Sequence, residues 1–87
     1  MYVIIVYDVR EKRVAKVCQF LRQYLNWIQN SVFEGELTKA EYYAIRKEIE
    51  KIIDENEDSI IFYIFRSKEA MKRETIGITK ADFGHVI

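Results

Sequence analysis

The chain has 87 residues, 49% hydrophobic and 14% aromatic, with no proline and three glycines, a length that holds one compact domain and no second core. One cysteine and one histidine exclude a disulfide framework and a zinc or iron-cluster ligand set, and fit a reducing compartment. Fourteen basic side chains balance fourteen acidic ones, so bulk charge supplies no argument for a nucleic-acid partner.

Tyr2 to Tyr7, YVIIVY, is apolar without alternation, as expected of a central strand covered on both faces. Val14, Val17, Cys18, Leu21, Tyr24 and Leu25 then recur at spacings of three and four among polar residues, which predicts an amphipathic helix. Trp27 to Leu37, WIQNSVFEGEL, shows partial period two around Gly35 and reads as one bent strand or two short ones joined by a bulge. Thr38 and Glu41 have the spacing of a capping box, and Leu37 and Tyr42 that of a hydrophobic staple. The second helix they open carries a stripe of Tyr42, Ile45, Ile49, Ile52 and Ile53, and runs out in the polar stretch Glu55 to Ser59. Ile60 to Phe65, IIFYIF, predicts another strand. Beyond it the pattern weakens into a polar turn over Ser67 to Arg73, a short strand over Thr75 to Ile78, and an apolar patch of Phe83, Val86 and Ile87.

Strands separated by two one-faced helices predict an α+β two-layer sandwich in which the helices cover one sheet face. A chain of this length buries only about 60% of its unfolded surface, so the apolar surplus points to a second copy on the other face. No run approaches the roughly 20 apolar residues of a membrane span. The N-terminal stretch is too short for a signal peptide and has no preceding basic segment, so a cytoplasmic location is expected. Charge is uneven: residues 1–30 carry five basic against two acidic side chains, residues 31–60 four against nine, and residues 61–87 five against three.

Asp8 ends the first apolar run and has two readings. Asp8 to Glu11 has capping-box spacing; alternatively, a carboxylate at the end of a central strand stands where sites are assembled. One carboxylate makes no metal cage, but Mg2+ keeps much of its water and is often held by one or two carboxylates plus substrate phosphate. A two-fold axis near Asp8 would supply the second. Lys12, Arg13 and Lys16 fall in the first turns of the helix, where its positive end repels cations by about 0.3–1 kcal/mol each; a cationic helix N-terminus suits phosphate. Tyr7 is a base-stacking candidate or a core aromatic. Cys18 lies on the apolar stripe and reads as packing. His85, a possible proton shuttle, lies in the weakly patterned tail and is given no role. Asp82 to Gly84, D-F-G, lacks every companion motif of a kinase.

The first strand ending in Asp8, the following R-x-x-K-V-x-x-x-L helix and the stretch Q-N-S-V-F-E-G-E-L together resemble the small CRISPR-associated protein of the spacer-acquisition machinery, described in its family as a metal-dependent endoribonuclease. The likeness covers almost the whole chain. It implies a ferredoxin-like fold, an antiparallel sheet with two helices on one face, and a homodimer in which each C-terminal strand extends the other's sheet. It also implies that Asp8 binds Mg2+ or Mn2+ between two subunits as the catalytic residue, and that Tyr7, Arg10, Lys12, Arg13 and Arg22 are neighbours able to contact nucleic acid, joined by Lys16 from the charge reading. Ser31, Phe33 and Gly35 match the second motif and are expected to shape the strand beside the site. The family resemblance carries two accounts: a nuclease acting on single-stranded RNA or double-stranded DNA alongside the CRISPR integrase in antiviral defence, or a non-catalytic bridge between integrase subunits that binds duplex DNA along basic flanks. A stand-alone toxin-type RNA interferase is a third reading. A ligand-sensing dimer would need a glycine-bearing loop, and none is present.

Overall fold

The computed structural model describes residues 1–78 and 80. His85, Asp82 to Gly84, the apolar patch of Phe83, Val86 and Ile87, and any exchanged C-terminal strand lie outside the described residues. Strand β1 (Tyr2–Asp8), helix α1 (Glu11–Leu21), strands β2 (Asn26–Gln29) and β3 (Val32–Glu36), helix α2 (Lys39–Ile52) and strand β4 (Ser59–Phe65) follow in chain order. They form a four-stranded sheet in the order β2-β3-β1-β4, antiparallel at every junction. This is the ferredoxin-like α+β arrangement expected.

The side-chain period of two decides what each sheet face carries. On β1, Val3, Ile5 and Tyr7 are buried with Phe33 of β3 against Val17 and Leu21 of α1 and Ile45 and Ile49 of α2. Ile4 and Val6 face the other way and are half-buried, beside the exposed Ile61 and Tyr63 of β4. The missing alternation of YVIIVY therefore records two apolar faces, of which this chain's helices cover one. Among the described residues β4 is an edge strand with the same asymmetry.

Thr38 caps α2 as its sequence pattern requires: its hydroxyl accepts the Glu41 N–H at 3.1 Å, and the Glu41 carboxylate accepts the Thr38 N–H at 2.8 Å. Such a cap contributes about 1 kcal/mol. Leu37 and Tyr42, the staple pair, are both in the core. Ile53, read as part of the apolar stripe, is instead the extended residue that ends the helix.

The WIQNSVFEGEL stretch is a hairpin. Gln29 pairs with Val32 across a two-residue turn in which Asn30 has φ 43°, a left-handed conformation that asparagine tolerates better than most residues. The bulge lies inside β2, between Trp27 and Gln29, and not at Gly35. Gly35 is a regular, buried position of β3, where an added Cβ would stand 3.0 Å from Leu25 Cδ2. It is small because the chain leaving α1 packs onto the strand backbone.

No strand forms over Thr75 to Ile78. Ile76 is fully exposed and Ile78 largely so, and among the described residues no strand pairs with them. A short 3-10 turn, Lys68–Ala70, leads the segment past Tyr2, where Lys68 Nζ lies 5.9 Å from the ring centre. Arg73 then pairs with Glu34 of β3. Glu34 is buried on the open face and also accepts from the Tyr2 hydroxyl. Burial, and then that bond, push the Tyr2 hydroxyl pKa up to about 12.

Candidate nucleic-acid and metal site

Asp8 is the last residue of β1 and still belongs to the ladder, opposite Ser59 of β4. This overturns its reading as a helix cap. The N-cap position of α1 is Arg10, with no side-chain cap of its own. Asp8 is exposed, and among the described residues its carboxylate enters no ion pair or side-chain hydrogen bond.

The carboxylate that serves the start of α1 comes from far along the chain. Asp58 Oδ1 accepts the Arg10 N–H at 2.9 Å, and Asp58 Oδ2 accepts Arg13 Nε at 2.6 Å and the Asp54 N–H at 2.9 Å. Arg13 Nη2 also donates to Glu57 at 2.8 Å. The Arg13 guanidinium, with the backbone donors of Asp54 and Arg10, holds the Asp58 carboxyl well below the usual carboxylate range against the opposing effect of burial. Arg13 is held protonated by the same bonds.

A carboxyl whose folded-state pKa is depressed contributes stability that is complete above its unfolded value and lost as pH falls. Here the loss begins below the ordinary value of 3.8. Thermal melts of wild type and Asp58→Asn should therefore differ at neutral pH and converge towards pH 2. A gap that stayed constant across that range would remove this assignment.

The structure separates the basic candidates. Arg10, Lys12 and Lys16 are exposed along the start of α1, with Lys12 Nζ 4.0 Å from Glu57. Arg13 is committed to Asp58 and Glu57, its side chain 17% exposed, so folding does account for this cation at a helix N-terminus. Arg22 follows the last turn of α1, about 16 Å along the helix from its start.

Tyr7 is core. It is 6% exposed, its hydroxyl lies 3.0 Å from Cys18 Sγ, and its ring centre lies 6.0 Å from that of Phe33. Burial, then the contact with Cys18, raise its pKa. Cys18 packs, as expected, and is a free thiol. The hairpin tip is tied to this end of β1: the Ser31 carbonyl accepts the Tyr7 N–H at 3.1 Å, and the Asn30 carbonyl accepts Trp27 Nε1 at 3.0 Å. Ser31 and Phe33 thus touch the residue before Asp8, whereas Gly35 acts further along β3.

Among the described residues no group of three or more His, Cys, Asp or Glu side chains could hold a metal ion. Asp8 alone, a single exposed carboxylate, does not fit a zinc or calcium cage. It does fit a largely hydrated Mg2+ or Mn2+ shared by the Asp8 side chains of two copies. Sequence reasoning missed Asp58, because Glu55 to Ser59 read only as the polar end of a helix. The available signal was an acid directly before an apolar strand, four residues after Asp54.

No helix among the described residues is long and apolar enough to cross a membrane. The family model described as CRISPR associated protein Cas2 matches residues 1–73. A "CRISPR-associated endoribonuclease Cas2" of Methanosarcina acetivorans is 53% identical over 87 residues, the full length of both chains. Its counterpart in Pyrococcus furiosus is 54% identical over 87 residues, again the full length of both. A crystal structure of a Cas2 protein superposes with a TM-score of 0.85 at 46% identity, covering 93% of this chain and 91% of that one. With this match over sequence and fold together, the chain belongs to the CRISPR-associated Cas2 family.

Proposed function

We propose that this chain is a metal-dependent endoribonuclease acting as a homodimer, with Asp8 from each copy facing the other across a two-fold axis. The observation that carries the reading is the exposed Asp8 carboxylate, uncommitted among the described residues, at the end of a strand anchored on both sides. The open apolar face of Ile4, Val6, Ile61 and Tyr63 supports the second copy, and the relatives' name, endoribonuclease, supports the chemistry. Bound Mg2+ or Mn2+ supplies an activated water and offsets charge on the phosphate. Asp8 orients the ion, while Arg10, Lys12 and Lys16 hold the nucleic-acid backbone by charge-assisted contacts. Arg22 extends that track along α1. Tyr7 supports Asp8 from within the core instead of stacking on a base.

In the cell we place the protein in the cytoplasm, acting with the CRISPR integrase in spacer acquisition. A second reading, a non-catalytic bridge that binds duplex DNA, is favoured by one observation. Among the described residues no group of three or more His, Cys, Asp or Glu side chains gathers at Asp8, a sparse constellation for catalysis, while the start of α1 presents the exposed cations Arg10, Lys12 and Lys16.

Labelled single-stranded RNA, single-stranded DNA and duplex DNA, each incubated with wild type and Asp8→Ala in Mg2+, Mn2+ or chelator, decide between the two. Cleavage that needs metal and is lost in Asp8→Ala is expected. Binding without Asp8-dependent cutting would make the protein the DNA bridge.

A further inference from the structure

We infer that Asp58 is a positioning residue for Asp8: by clamping the connection that follows β1, it aims the Asp8 carboxylate. The inference rests on the proposed metal-binding role of Asp8. The Asp58 side chain has no exposed surface, yet its two oxygens receive donors from three separate places in the chain. Arg10 N–H and Arg13 Nη2 reach Oδ1 at 2.9 and 3.1 Å, and Arg13 Nε and Asp54 N–H reach Oδ2 at 2.6 and 2.9 Å. The next residue, Ser59, lies opposite Asp8 in the ladder. Asp8 is therefore held by β4 at its own position and, two residues later, by the residue preceding β4 through Arg10 N–H. Only Val9 lies between the two anchors.

This geometry is what a weakly furnished metal site requires. A single carboxylate per chain has no neighbouring ligand to correct its aim, so its direction must come from the backbone that carries it. A buried, fully bonded carboxylate that ties the β1–α1 connection at Arg10 to Arg13 of α1 and to Asp54 after α2 fixes that backbone as outer-shell partners fix metal ligands elsewhere. The arrangement also gives Arg13 a use that needs no substrate: it completes the clamp from the first turn of α1, and Glu57 steadies its outer nitrogen.

The test compares wild type, Asp8→Ala, Asp58→Ala and Asp58→Asn at a temperature where each is folded. Mn2+ affinity is read by electron paramagnetic resonance and amide hydrogen exchange is followed at Val9 to Lys12. Asp58→Ala should weaken Mn2+ binding about tenfold and speed exchange at Arg10. Asp58→Asn keeps an oxygen for the Arg10 N–H and should recover part of both. A merely structural lock would lower the melting temperature and leave Mn2+ affinity of the folded protein alone; wild-type affinity in Asp58→Ala overturns the inference. Should Asp58→Ala not fold, Arg13→Met loosens the clamp while leaving its backbone donors, and unchanged affinity there overturns it equally. Failure of the underlying metal reading looks different: Asp8→Ala itself would then bind Mn2+ like wild type.

Discussion

Phe33→Ala is expected to lower the unfolding free energy by about 3–5 kcal/mol, the usual cost of emptying a buried aromatic site. Phe33 is fully buried and lies in the sheet between Ile5 of β1 and Trp27 of β2. Its ring meets that of Tyr7, so truncation forfeits an aromatic contact worth about 0.5–1.5 kcal/mol as part of the total. Domains of this class are stable by about 5–15 kcal/mol, which leaves the variant close to its threshold. Urea unfolding measures the loss as a fall in midpoint at unchanged slope. Phe33→Leu keeps most of the volume and should cost less than about 1.5 kcal/mol. A loss below about 1 kcal/mol in Phe33→Ala would mean that Phe33 is not packed in the core between the sheet and the two helices.

How far the fold was legible follows from where its determinants lie. α2 was readable to the residue at its start, because a capping box is a local device: Thr38 and Glu41 satisfy one another's backbone within a single turn. α1 carries an equally good local pattern in Asp8 and Glu11, and there the pattern misleads. Asp8 keeps its place in the ladder opposite Ser59, and the Arg10 N–H finds its acceptor in Asp58, 48 residues away. No spacing rule encodes a cap delivered from another element. The hairpin at Asn30 is intermediate: its two strands were within the expected range, but the turn rests on an asparagine adopting positive φ, and Gly35 drew the bulge to itself. In the site, Asp8 was visible because a charge ends an apolar run. The division of labour between Arg13, bound in the clamp, and Lys12 or Lys16, exposed on α1, was not, since all three are equivalent in composition and separable only by what Asp58 and Glu57 reach.

Ile61→Asp combined with Tyr63→Asp should abolish self-association while leaving the fold intact. Both side chains are already about half exposed, at 46% and 50%, so in a lone chain the change costs little, as for most surface substitutions. Their register partners on β1 are Val6 and Ile4, so the pair marks the middle of the apolar face that the helices leave uncovered. If a second copy seats there, each carboxylate is desolvated without a partner. A loss of at least 2 kcal/mol, about thirty-fold in the dissociation constant, follows. Sedimentation velocity reads the association state, and circular dichroism checks the fold. Because the proposed site needs Asp8 from two copies, metal-dependent cleavage should disappear with the dimer although Asp8 is untouched. Tyr43→Asp is the control: Tyr43 is 58% exposed but belongs to α2, in the other layer, and should change neither association nor cleavage. A doubly substituted protein that is monomeric and still cleaves at the wild-type rate would show that one Asp8 suffices, and the shared-metal site would have to be abandoned.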